Sequence, residues 1–219
     1  MIKSHDAEKK YFENLAKFTL CLLFQDEYKG LVNFEKPDLV TQDYRVGVEV
    51  TRVLQERKMR DERFFNRHFH RQQINSLSEN KLNSFLQNGN ELITEDRVVG
   101  NGSMKIVGYA SDLGIYKEEF IALVRRKLIN LNKGNYAFCD NMDLYAFWPS
   151  LFDDEIEYAI DGIGSVCECV QNDYRYVYVD NNSTLFRINT RLEVERIDLR
   201  PYLKEIKTKA KADTGIDVL

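Results

Sequence analysis

A chain of 219 residues, 43% hydrophobic and 30% charged, is long enough for one sizeable core and too rich in aromatic and apolar residues for a disordered or linker-like protein. A formal net charge of −4 counts against nonspecific attraction to phosphate unless the basic residues are gathered in one place. No apolar run approaches the roughly 20 residues of a membrane span, and the scattered cysteines 21, 139, 167 and 169, with no secretory leader, point to reduced thiols in a cytoplasmic setting.

Residues 6–24 place Phe12, Leu15, Ala16 and Leu23 at three- and four-residue spacing, which predicts an amphipathic helix that docks on a sheet. Next come two strands, expected at 34–40 and 44–51 and joined by the short polar turn Thr41-Gln42-Asp43. In the second strand Val46, Val48 and Val50 alternate with Gly47, Glu49 and Thr51, so the valines share one face and Glu49 stands mid-strand on the other, polar one. Asp38 follows Pro37, which cannot donate to a ladder, and so belongs at a strand entrance or edge. The hairpin brings Asp38 towards Glu49. Two close carboxylates repel unless a cation or a proton intervenes, and oxygen-rich sites suit Mg²⁺ or Mn²⁺.

The segment 52–87 reads as mainly helical, with Arg60, Arg63, Arg67 and Arg71 spaced along one face as a basic stripe able to follow a phosphate backbone or simply to meet water. Residues 88–102 read as a polar loop with a short element at 92–99, and 104–109 as a short strand. Its Gly-Asn-Gly lacks the Gly-Lys-Ser/Thr of a phosphate loop. Residues 117–131 form a helix in which Phe120, Val124, Lys127 and Leu131 share a face. Lys127 thus sits where an apolar residue is expected, either lifting its ammonium to water or aiming it at an anionic group between helix and sheet. A strand at 142–148, a short helix at 152–160, a hairpin of 174–179 with 184–188 and a terminal helix from about 200 to 212 complete the chain, and the tail at 213–219 is expected to be disordered. Cys167-Glu168-Cys169 is too tight and isolated for a zinc site.

Pro37-Asp38, a spacer and Gly47-Val48-Glu49-Val50-Thr51 resemble the core motif of the PD-(D/E)xK nuclease superfamily: Pro-Asp, a variable gap, an acid, any residue and a lysine. Thr51 stands in the place of that lysine. The resemblance covers roughly the first two-thirds of the chain and implies a single α/β domain over 1–219 with a restriction-endonuclease-like mixed sheet flanked by helices, here with an additional C-terminal strand hairpin. It implies Mg²⁺, with Mn²⁺ as a substitute, held by Asp38, Glu49 and the main-chain carbonyl of Val50. Glu13 is the preferred acid from the first helix, and Lys127 the lysine that reaches in from a later one. The expected activity is hydrolysis of DNA phosphodiester bonds, with the arginine stripe contacting DNA. The rival from another class is a nuclease-fold protein without catalysis that binds nucleic acid or a protein partner, itself included as a homodimer. A third, a regulatory interaction protein, draws on the acidic net charge.

Overall fold

The computed structural model describes residues 4–53, 65, 79–86, 90–99, 102–111, 114–134, 136–149, 151–167 and 173–214. The chain divides into two compact units, Met1–Val53 with Phe120–Leu219, and Leu54–Glu119.

The larger unit is built on a seven-stranded mixed sheet. Its strands are β1 (Leu31–Asn33), β2 (Leu39–Thr41), β3 (Val46–Arg52), β6 (Asn141–Phe147), β7 (Tyr176–Asp180), β8 (Thr184–Asn189) and β9 (Val194–Asp198), in that spatial order. β3, β6 and β7 run parallel, and the outer pairs are antiparallel. The parallel step from β3 to β6 requires a crossover, and helix α3 (Gly114–Asn132) supplies its return limb.

Helix α1 (Ser4–Leu23) lays Leu15, Ala16 and Leu20 on the sheet face formed by Val46, Val48, Val50, Tyr145 and Tyr178. The C-terminal helix α5 (Leu203–Thr214) adds Ile206 and Ala210 to the same core. Lys17 of α1 reaches Asp213 of α5 at 2.8 Å. Helix α3 buries Phe120, Leu123, Val124 and Leu128, and Phe120 stacks on Trp148 at the end of β6 with ring centroids 4.7 Å apart. Helix α4 (Ile156–Cys167) follows a 3₁₀ turn at Asp153–Glu155, where the Phe152 N–H donates to Glu155 Oε2.

The smaller unit contains helix α2 (Glu79–Leu86) and a ten-by-ten-residue antiparallel pair, β4 (Asn90–Val99) with β5 (Gly102–Ser111). The polar loop expected at 88–102 is therefore mostly strand. Glu91, Glu95, Asp96 and Arg97 disguised it, because pairing with β5 rather than an apolar alternation defines it.

Three further expectations are corrected. The strand expected at 34–40 is only Leu39–Thr41; Pro37 has no N–H, and the Phe34 N–H donates to the Asp38 carbonyl at 2.8 Å, closing a β1–β2 turn. The face carrying Gly47 and Glu49 is buried rather than solvated. The terminal helix runs on to Thr214, so Asp213 is ordered into it. The arginines of the proposed basic stripe, Arg60, Arg63, Arg67 and Arg71, lie outside the described residues.

Candidate metal and phosphodiester site

The geometry starts from where β2 stops. Leu39 pairs with Val48 and Val40 with Gly47, so Val46, Val48 and Val50 direct their main-chain groups at β2. Continuing β2 by two residues would set Pro37 opposite Val50, and Pro37 has no N–H to give the Val50 carbonyl. The ladder stops there, and the Asp38 side chain supplies an acceptor in its place: its Oδ2 accepts the Val50 N–H at 2.9 Å. A residue in a strand points its N–H and C=O to the same edge. The Val50 carbonyl therefore opens on the edge that Asp38 occupies.

Glu49, one residue earlier, has its side chain on the opposite face from the valines. That is the face with Gly47, where an added Cβ would lie 2.6 Å from the Met142 Sδ and 2.7 Å from the Pro37 ring. Only glycine allows Pro37, and Asp38 behind it, to close on β3. Glu49 is buried, and its Oε1 accepts a short, charge-assisted hydrogen bond from the Lys127 ammonium of α3. Only 17% of the Lys127 side chain is exposed, so the ammonium is aimed inward rather than lifted to water. Thr51 is half-buried at the position of the motif lysine and brings no charge.

From the other face, α1 presents Lys9 and Glu13, one turn apart. The Lys9 Nζ lies 3.1 Å from Asp38 Oδ1 and 3.2 Å from Glu13 Oε1. Asp38 thus stands at the seam of two layers, with Glu13 and Lys9 of α1 on one side and Glu49 and Lys127 of β3 and α3 on the other.

The charges are coupled. Burial pushes the Glu49 carboxyl above its ordinary pKa; the Lys127 ammonium pulls it down and the Asp38 carboxylate pushes it up. Glu13 is likewise raised, first by burial and then by Asp38, against the pull of Lys9. The Tyr136 hydroxyl is pushed up to about 12, by burial first and the Glu49 charge second. Tyr174 is raised by burial and by the neighbouring Tyr136 and Glu49.

Among the described residues, no three His, Cys, Asp or Glu side chains are gathered as a ready metal cage. The oxygen groups of this neighbourhood are Asp38, the Val50 carbonyl, Glu13 across Lys9, and Glu49, which is paired with Lys127 and within electrostatic reach of Asp38. Mg²⁺ keeps several waters and takes one or two carboxylates plus a substrate phosphate, so this donor set fits it.

Lys9 and Tyr136 went unnoticed in the sequence. Lys9 had one readable signal, its four-residue spacing from Glu13. Tyr136 had none, since neither periodicity nor motif ties a loop at 136 to a strand at 49.

Among the described residues no helix is long and apolar enough to cross a membrane. Comparison of the chain with family models, with curated proteins and with solved structures gives no match.

Proposed function

We propose that this protein is a Mg²⁺-dependent nuclease that hydrolyses DNA phosphodiester bonds at Asp38 and Glu49, with a restriction-endonuclease-like fold in its larger unit. The contact between the Lys127 ammonium and Glu49 carries the reading. An inward-facing lysine beside the acid supplies the positive group that Thr51 cannot. Support for the fold comes from element order: a helix, an antiparallel pair bearing the two acids, a helix returning to the sheet and a parallel strand beside β3.

In this reading Asp38, Glu49 and the Val50 carbonyl hold the ion, and Glu13 completes the oxygen set. When bound, the ion supplies Lewis acidity towards the scissile phosphate and lowers the pKa of a water. Lys127 stabilises negative charge developing on the phosphate and orients the attacking water. Asp38 has its Oδ2 fixed by the Val50 N–H, and its Oδ1, paired with Lys9, is the oxygen that would face the ion.

Relaxation of supercoiled plasmid in Mg²⁺ or Mn²⁺ tests the proposal. Wild-type protein should nick the plasmid, and Asp38→Asn and Glu49→Gln should each slow nicking by about 1,000-fold while the circular-dichroism melt stays close to wild type. Nicking that survives both substitutions, or a wild-type protein that binds duplex without cutting it, sinks the catalytic reading; the second result would favour the non-catalytic nucleic-acid binder.

A further inference from the structure

The Lys9 ammonium holds the place between Asp38 and Glu13 that a second pair of oxygen ligands would otherwise offer to an ion. Its own side chain is 59% exposed, whereas those of Asp38 and Glu13 are 7% and 11% exposed. The carboxylates are fixed and dry, while the cation between them sits on a long, flexible stem with water at its back. Asp38 and Glu13 both hold the ammonium charged, yet its exposed stem leaves it free to exchange places with another cation. A divalent ion placed near Asp38 would repel the ammonium at ordinary ion-pair distances, and it gains more from the same oxygens than one positive charge can.

We propose that Lys9 is a tethered counter-cation: it neutralises Asp38 and Glu13 while the ion is absent, yields them when a divalent ion loads, and then turns its charge to the DNA backbone. The inference rests on the nuclease reading of this site and adds an ion exchange to it. Lys9 has somewhere to go. It lines an open cleft of about 360 Å³ together with Asp6, Lys10, Glu13, Asn33, Phe34 and Glu35. On swinging away from Asp38 the stem remains tied to the first turns of α1, so the displaced charge stays beside the site and next to Lys10. No covalent bond is made or broken in the exchange; the ammonium's contacts with Asp38 and Glu13 are traded for contacts with the ion.

The test is a pair of binding measurements with opposite expected signs. Mn²⁺ binding to the full chain, followed by electron paramagnetic resonance, should tighten about ten-fold in Lys9→Met, because the competitor is gone, and stay near wild type in Lys9→Arg. Binding of a short duplex in Ca²⁺ should weaken in Lys9→Met, with the slope of log affinity against log salt flattened by roughly 0.9. A lysine that merely holds α1 in place would weaken both. Mn²⁺ affinity that is unchanged or weaker in Lys9→Met, or duplex affinity that does not fall, overturns the exchange. Asp38→Asn separates the two ideas. If it abolishes Mn²⁺ binding while Lys9→Met has no effect, the site stands and the exchange fails. If Asp38→Asn binds Mn²⁺ like wild type, or if the wild type binds none, both fail.

Discussion

Among the buried carboxylates of the larger unit, Asp143 and the pair Asp38 and Glu49 differ in what meets their charge. Asp143, on β6 and fully buried, receives the Tyr28 hydroxyl at 2.6 Å, the Arg175 Nη2 at 2.7 Å, the Arg175 Nε at 3.1 Å and the Tyr176 N–H at 3.1 Å. Tyr28 is itself bonded to the Tyr178 hydroxyl at 2.7 Å, and Arg175 leans on Glu27 at 3.5 Å. Every lone-pair direction of Asp143 is taken: by a backbone amide, a two-point guanidinium fork and a packed phenol. Asp38 and Glu49 are met instead by one backbone amide, by ammonium groups on four-carbon stems and, at Glu49, by the Tyr136 hydroxyl. A saturated, rigidly held carboxylate specifies the fold; an under-supplied one with movable cations can change partners.

That contrast is sharpest in Lys127. Lys127→Met, which keeps most of the apolar stem, should lower metal-dependent nicking by at least about 100-fold and leave the melt nearly unchanged. A Lys127→Met protein that nicks at the wild-type rate would reduce the lysine to a packing element and remove the difference between the two groups.

Asp143 should show the reverse pattern. Asp143→Ala strands the half-buried Arg175 charge and deprives Tyr28 of its acceptor, so urea unfolding should report a loss of about 3–5 kcal/mol, with metal affinity preserved in the fraction that stays folded. Retained stability in Asp143→Ala would mean that saturation of a buried acid says little about its role here.

The smallest effect concerns pH. Glu13 and Glu49 are both raised above ordinary glutamate values, so each takes up a proton in the folded state before it does in the unfolded chain. Their protonation favours the folded state fully below the unfolded pKa, and this contribution is lost as pH rises through the folded values. Ion binding needs the deprotonated forms and should move the other way. Mn²⁺ affinity measured from pH 7 downwards should start to fall above the ordinary glutamate range of about 4.3. Affinity that holds steady until that range is reached would exclude both residues from the ion's surroundings.

The elements that carry the acids were legible because burial wrote a period into them. α1, β3, α3 and β6 all follow from apolar spacing, and Lys127 stood out as a charge on an apolar face. β1 is three residues long, and β9 reads Val-Glu-Arg-Ile-Asp with Glu195, Arg196 and Asp198 exposed; both are defined by their neighbours' ladders rather than by their own pattern. The site was half visible. Motif order paired Asp38 with Glu49, but the approach of α1 to Asp38 and of α3 to Glu49 depends on β2 beginning only at Leu39, and nothing in the spacing of Lys9 tells that its ammonium crosses to another element. Asp143 carried a signal that was passed over: an acid inside the apolar run Met-Asp-Leu-Tyr-Ala-Phe must either be paired or be costly.

The hand-over from ladder to side chain at Val50 also makes the site a gauge of strand alignment. Because successive residues of β3 face opposite layers, sliding β3 past β2 by one position would send Glu49 into the valine layer beneath α1 and bring a valine under Lys127. The number of residues between Thr41 and Val46, rather than their chemistry, is therefore what keeps the two acids on one seam. A single deletion in that turn would leave a chain with the same composition, the same helices and the same core-forming residues, yet with its carboxylates divided between two layers.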